Sequence, residues 1–393
     1  MMNLKVIGAG AAGNKAALTL IKKGFNKDNV VLLNSTKKDI PESYDGRTII
    51  FGSHRIGGGC GKERDMGKQL ILNDLRSNEI SFDNIVDPDT NAVIIVSSTE
   101  GGSGSASTPI VAKYIKEVIG VPVIIVLLFG FNNDVRGMQN SIEVCQELQD
   151  NYGVIGISNA KFLDQASKNT AKAERMANEQ FAKIVRIISG QDIVPSEQNI
   201  DDTDLLKIIT TPGYMMVENV EISHTIKNIE QYDKIIKECI DNSTLVDTSK
   251  GVNRVGIIYE VDSDLYDNID LSAGKIKECY GTPYEVFTHL QPDSAVEGKK
   301  SNISWIIAGA PMPIKEVEAI YNNYMENTNR VNKELDTFFD NVSAMKGQRE
   351  DGKFNMLGIE EEKISKSDFF SEFGFNDNKK PKQKKPSSNI DEY

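Results

Sequence analysis

The chain predicts an α/β fold: a parallel sheet of nucleotide-binding layout, a smaller α+β second domain, a long C-terminal helix and a disordered tail. Three observations predict it. Val/Ile/Leu runs alternate with helical patterns through residues 1–190, glycine-rich turns follow two of those runs and lead into helices, and beyond residue 312 one apolar 3-and-4 spacing replaces the alternation.

In the first block the candidate strands are Leu4–Ile7, Val30–Leu33, Thr48–Phe51, Ala92–Val96, Val121–Leu128 and Val154–Ile157. The longest are uninterrupted β-branched and leucine runs, as in a parallel sheet buried on both faces. Helical patterns at Asn14–Lys23 and Pro109–Ile119 lie between them, with a helix start near Ser107. Together they read as a doubly wound layout. Residues 159–190 form one long helical pattern ending at Gly190, a central helix that completes the first domain (1–190).

Residues 191–312 form the second domain, with strands at Val255–Val261, Tyr284–Leu290 and Ile303–Ala308 and helical segments near Ile229–Ile240 and Leu271–Tyr280. Pro313 then opens a helix over 313–347 whose seam runs Ile314, Val317, Tyr321, Tyr324, Thr328, Val331, Leu335, Phe338, Val342, Met345. At 1.5 Å per residue it spans roughly 50 Å. Such a seam packs on its own domain or finds part of its partner in another chain. Residues 348–393 are polar and read as disordered. They contain a cluster of Phe369, Phe370, Phe373 and Phe375 and a basic run, Lys379 to Lys385, either a solvated tail or a short docking motif.

Composition limits the function. With 393 residues, 39% apolar and 26% charged, the chain has ample core, and no apolar stretch approaches a membrane span. Its first residues run directly into a strand, without a leader pattern. A net charge of −12 argues against direct DNA wrapping by the main body. Four scattered cysteines and three dispersed histidines offer no zinc-ligand pairing, and they fit a reducing cytoplasm.

The motifs point to phosphate. Gly8-Ala9-Gly10-Ala11-Ala12-Gly13-Asn14 follows the first strand and fits G-x-G-x-x-G. An NAD site needs an acid at the end of the second strand, yet that strand ends Leu33-Asn34-Ser35-Thr36. Gly61-Lys62 is followed by Glu63, so no P-loop is present. The run Glu100-Gly101-Gly102-Ser103-Gly104-Ser105, between a buried strand and a helix, is a second place where backbone N–H groups and a helix dipole meet.

These residues resemble the tubulin/FtsZ superfamily of GTPases. Gly8–Asn14 looks like its first loop, and Gly57-Gly58-Gly59-Cys60-Gly61-Lys62-Glu63-Arg64-Asp65 like its third. Gly101–Ser105 looks like the tubulin signature, with Glu100 replacing its first glycine, Ser103 its threonine and Ala106 its last glycine. Phe129 to Arg136 is similar to the ribose loop, with Asn132 where a glutamate is usual and Arg136 keeping the arginine. Asn159 and Asn178 match the asparagines that read guanine, while Glu174 stands where an aromatic usually stacks on the base. Asn199-Ile200-Asp201-Asp202-Thr203-Asp204 fits the synergy loop; read alone, it is also a helix cap.

The resemblance implies a GTP/GDP site at Gly10, Ala11, Ala12, Gly13, Asn14, Gly59, Cys60, Gly61, Lys62, Gly101, Gly102, Ser103, Gly104, Ser105, Asn132, Arg136, Asn159 and Asn178, with Mg²⁺ on the terminal phosphates and no protein ligands assigned to it. Asp201, Asp204 and Asn199 would act catalytically on the nucleotide of the next subunit in a head-to-tail homopolymer. The divergent signature, long helix and basic tail look more like the TubZ branch, tubulin-like GTPases of plasmid and phage partition systems. That implies a DNA-bound adaptor on the tail, DNA reached only indirectly, no membrane, and a cytoplasmic location. The competing readings are an FtsZ-like division filament, an NAD(P)-dependent oxidoreductase and a non-catalytic scaffold.

Overall fold

The computed structural model describes residues 1–54, 58–148, 150–196, 199–222, 251–261, 281–292 and 301–328. The predicted helical segments at 229–240 and 271–280, the helix beyond Thr328, the phenylalanine cluster and the basic run lie outside the described residues.

The strands are β1 (Leu4–Ala9), β2 (Val30–Asn34), β3 (Arg47–Ile50), β4 (Ala92–Ser98), β5 (Val123–Phe129), β6 (Gly153–Ser158), β7 (Gly213–Ile222), β8 (Arg254–Val261), β9 (Glu285–Pro292) and β10 (Ser301–Ala310). They form one ten-stranded sheet in the order β3-β2-β1-β4-β5-β6-β7-β10-β8-β9. From β3 to β7 every pairing is parallel. β10 runs antiparallel to both β7 and β8, so the sheet is mixed rather than parallel throughout.

Helices cover both faces. They are α1 (Gly10–Lys22), α2 (Arg64–Ser77), α3 (Ser103–Lys113), α4 (Val135–Leu148), α5 (Thr170–Ile188), α6 (Asp202–Ile209) and α7 (Ile314–Thr328). Successive strand residues point to opposite faces. Ile7, Val31, Val93, Ile95 and Ile125 therefore pack in a core with α2, α3, α4 and α7. Val6, Leu32, Ile94, Val96 and Ile124 pack in the other with α1, α5 and α6. Each fully buried Val, Ile or Leu contributes about 1.5–3 kcal/mol of transfer free energy, which is why uninterrupted apolar strands could be read directly.

Several elements differ from the sequence expectation. The central helix is not continuous over 159–190. Asn159–Phe162 is a 3₁₀ turn and α5 starts at Thr170. Ser167 and Lys168 adopt left-handed φ of 54° and 61°, which ends one helical path, and Asn169 restarts it by accepting a hydrogen bond from Lys172 N at 2.9 Å. α3 begins at Ser103 rather than near Ser107, so Ser103, Gly104 and Ser105 of the glycine run lie in its first turn. It relaxes into a π-helical turn at Tyr114–Ile119, ended by Gly120 at φ 80°. α2 and α4 lie outside the recognised helical patterns because Gly67 and Gly137, poor helix formers, fall in their first turns.

The first part of the long seam is occupied within the chain. Val317, Ile320 and Tyr324 of α7 are buried against α4 residues such as Met138 and Ile142. That is the own-domain alternative for the described half of the helix.

Candidate functional site

Parallel strands deliver their carboxyl ends to one edge, and the predicted nucleotide loops all leave from it. Gly10 follows β1, Ser35 follows β2, Glu100 to Gly102 follow β4, Gly130 to Asp134 follow β5 and Asn159 follows β6. In open α/β sheets that edge is where ligands bind.

Backbone packs on backbone there. A Cβ on Gly104 would lie 2.5 Å from Ala9 O, and one on Gly10, at φ 72°, would lie 2.7 Å from Gly104 N. The β1–α1 turn and the first turn of α3 therefore approach more closely than any side chain allows. Gly102 meets the Lys62 backbone in the same way, at 2.8 Å. In contrast, Cβ positions on Gly59, Gly61 and Gly101 have nothing within 4 Å. The first N–H groups of α3, next in the chain after Gly101 and Gly102, lack intrahelical acceptors, as an anion-holding turn requires.

Side chains tie the loops together. Ser35 Oγ and Ser103 Oγ are 2.6 Å apart, linking the end of β2 to α3. Ser105 Oγ is turned inward and donates to Gly101 O. Lys62, at φ 67°, pairs with Asp134, whose carboxyl this contact holds below the usual carboxylate range. Asp134 Oδ1 also accepts from Gly137 N at 2.8 Å, capping α4. Arg136 donates to Glu63 Oε2 at 2.7 Å, so the predicted ribose-loop arginine is joined to the 58–63 loop. Cys60 is buried and free.

Two residues missed as site candidates organise this edge. Asn140 is fully buried and its Nδ2 donates to both Lys62 O and Glu100 O at 3.0 Å, bridging two loops with one amide. Arg64, 1% exposed, reaches Glu143 at 2.7 Å, Glu147 at 3.0 Å and Ser105 O at 3.1 Å, joining α2, α4 and the start of α3. Buried amides and guanidinium groups within helices look like surface residues in a sequence; only their burial distinguishes them.

Asn14 is fully buried and neither its Oδ1 nor its Nδ2 has a hydrogen-bond partner. A buried orphan amide costs about 1–3 kcal/mol, so a ligand group that pairs with it fits this position. Lys15 Nζ lies 3.5 Å from Glu174 Oε2, placing the early turns of α1 and α5 together. Asn178 on α5 is buried, and Asn159 is half-buried at the start of its 3₁₀ turn.

Asp201, Asp204 and Asn199 lie elsewhere. Asp201 Oδ1 accepts from Asp204 N at 2.8 Å and Asp204 Oδ2 from Asp201 N at 3.4 Å, a reciprocal capping box on α6. Asn199 Oδ1 accepts from Ser196 N at 2.7 Å. The neighbouring Asp202 pairs with the amino terminus of Met1 at 3.3 Å, beside the start of β1. β1 and its flanks separate that end from Gly10 by about 20 Å or more, at roughly 3.3 Å per residue. The structure thus brings the glycine loops together at one edge and leaves the acidic loop at the other.

Among the described residues, His54, Asp74 and Glu79 hold possible metal-ligand atoms within 4.8 Å of one another. They join the loop after β3 to the end of α2, apart from the glycine run of α3. No described helix is long and apolar enough to cross a membrane.

Comparison with known proteins shows what this edge is similar to. Residues 3–167 match the tubulin/FtsZ family, GTPase domain. Over that stretch the chain is similar to tubulin/FtsZ-family GTPase domains. The match is to a GTPase domain, which favours that expectation over the oxidoreductase one. The cell division protein FtsZ of Mycoplasmopsis pulmonis is 26% identical over 219 residues, 55% of this chain and 54% of the relative, so the match spans about half that protein's length. In fold, CetZ2 from Haloferax volcanii, a GTPγS-bound protofilament, superposes with a TM-score of 0.66 at 18% identity, covering 84% of this chain and all of that one. TubZ from Bacillus thuringiensis serovar israelensis, also a GTPγS-form protofilament, gives 0.64 at 16%, covering 83% and 92%. The likeness to TubZ is thus no stronger than that to CetZ.

Proposed function

We propose that this chain assembles head to tail into filaments and hydrolyses GTP at the contact between copies. One observation carries the proposal: the phosphate-holding loops and the acidic Asp201/Asp204 loop occupy opposite edges of one sheet. Within one copy the carboxylates are too far from the loops to act on a bound phosphate. A second copy stacked in the same orientation brings its α6 end to the first copy's glycine edge. Such a contact is heterologous and repeats without closing, so it builds a filament. The protofilament form of the CetZ and TubZ relatives supports this reading.

In the proposed site, N–H groups of Ala11 to Gly13 and Gly101 to Ser105 hold the phosphates, Asn14 of the first loop offers its unpartnered amide to the ligand, and Asn159 and Asn178 read the base. The 58–62 loop approaches the terminal phosphate, and Asn132 and Arg136 belong to the ribose side. Mg²⁺ neutralises charge on the terminal phosphates when bound. Asp201 and Asp204 of the neighbouring copy polarise the attacking water, with Asn199 beside them. Hydrolysis then depends on assembly, and the diphosphate left behind weakens the contact.

The cellular role we propose is movement of plasmid or phage DNA through a DNA-bound adaptor docked on the residue 348–393 tail, in the cytoplasm of a bacterial host. The basic Lys379–Lys385 run supports it. Deleting 348–393 should leave GTP turnover intact and abolish co-sedimentation of filaments with an adaptor–DNA complex; unchanged co-sedimentation would refute the tail's role. For the central reading, phosphate release per subunit should rise above a critical protein concentration, and a rate independent of concentration would refute it.

A further inference from the structure

Glu100 is the first residue of the glycine run, and its side chain does not point into solvent. Its Oε1 accepts a hydrogen bond from Asn132 N at 2.7 Å. Asn132 sits at φ 56°, a left-handed conformation that asparagine tolerates better than most residues, and the carboxylate holds that turn by its backbone N–H. The seat for the carboxylate exists because residue 130 is glycine. A Cβ on Gly130 would lie 2.2 Å from Glu100 Cδ and 2.3 Å from both carboxylate oxygens, and those are its nearest neighbours. Gly130 is not among the residues with positive φ, so its lack of a side chain serves space rather than backbone conformation. A Cβ on Gly137 would likewise meet Glu100 Cβ at 3.2 Å. The main-chain carbonyl of Glu100 is held by Asn140, which also holds Lys62 O.

We propose that Glu100 is a positioning residue that fixes the 129–134 loop onto the glycine run, its carboxylate seated in the space left by Gly130. The inference rests on the nucleotide site proposed above and deepens it. Glu100 transfers its effect through the Asn132 backbone to one wall of the site, while Asn140 sets the glycine run against the 58–62 loop. One residue therefore registers the ribose side to the phosphate side. Burial pushes its carboxyl above the usual carboxylate range, and a group held there against its own desolvation is consistent with a role in placement rather than in stability.

The test uses the full chain, GTP as the probe, and equilibrium binding below the assembly concentration, followed by turnover above it. Glu100→Ala should weaken GTP binding about tenfold, the loss of one charge-assisted hydrogen bond, and raise KM more than it lowers kcat. Glu100→Gln keeps an acceptor for Asn132 N and should bind GTP within about threefold of wild type. Gly130→Ala should reproduce Glu100→Ala by displacing the carboxylate, and adding it to Glu100→Ala should cost nothing further. Glu100→Ala binding within twofold of wild type would overturn the proposal. Multiplying effects of Glu100→Ala and Gly130→Ala would do the same. If wild-type protein fails to bind GTP, the underlying reading of the site falls instead. Should Glu100→Ala not fold, the Gly130→Ala and Glu100→Gln pair decides alone: equal binding by both refutes the proposal.

Discussion

Removing the guanidinium of Arg64 tests how the first turn of α3 is held. Arg64→Met keeps most of the apolar stem and deletes the charge. It leaves Ser105 O without its 3.1 Å donor and leaves Glu143 and Glu147 without their partner in the interior. Breaking a fully buried pair from one side costs about 3–5 kcal/mol. Here the carboxylates are 30% and 31% exposed and can partly rehydrate, and Lys68 Nζ remains 2.6 Å from Glu147 Oε1. The lower range applies, about 2–3 kcal/mol. The loss should change little between low and high salt, because the guanidinium is almost entirely shielded from water. Urea unfolding followed by circular dichroism, in full-length protein, measures it. Neutralising the acids as well, in Arg64→Met/Glu143→Gln/Glu147→Gln, should recover most of the loss. A change under about 0.5 kcal/mol for Arg64→Met, or none of that recovery, would show that the group is ordinary packing and not a clamp on α3.

Three further outcomes follow from the same geometry. Glu100→Gln should raise the melting temperature at pH 7: burial pushes the folded-state carboxyl above the ordinary carboxylate range, so the native protein holds its proton to higher pH than the unfolded chain and loses stability as pH rises through that window. The gain should vanish below about pH 4.5, where both states are protonated; a constant gain would contradict the assignment. Gly104→Ala places a Cβ 2.5 Å from Ala9 O, a backbone atom that no rotamer change moves, so binding of GTP should fall at least tenfold, as measured by calorimetry. Asp201→Asn retains the cap on α6, since Asn caps as well as Asp, and should leave thermal stability unchanged while abolishing phosphate release; Asp201→Ala should lose turnover and about 1 kcal/mol of stability as well.

Much of the α/β core was legible because strands buried on both faces are written as unbroken apolar runs. β1, β2, β4 and β5 are where the pattern places them, within two residues at each end. Gly10, Gly102 and Gly104 were legible because close backbone approach there leaves only glycine possible. The break between Asn159–Phe162 and α5 was not, because Ser167 and Lys168 carry no mark of their left-handed φ. β7 was hidden because Glu218 and Glu221 interrupt its apolar run. Among site residues, Asn140 gave no signal and Arg64 only its place in the third-loop match, since their importance lies in burial reached only after α2, α3 and α4 pack. Glu100 was visible only as a misfit in a glycine run; its use depends on Gly130, thirty positions away and adjacent only in the fold.

Mixing two inactive variants tests most directly whether the catalytic site is shared between copies. Gly101→Val adds a side chain whose Cβ has no heavy atom within 4 Å, and should exclude GTP while leaving Asp201 intact. Asp201→Ala keeps the nucleotide loops and lacks the carboxylate. If the site forms between copies, the two together should release phosphate from GTP, each inactive alone, with activity that peaks near equal mixtures. If mixing restores nothing while both variants fold and Asp201→Ala binds GTP and assembles, the carboxylates and the nucleotide do not meet across a head-to-tail contact, and the account is wrong at its centre.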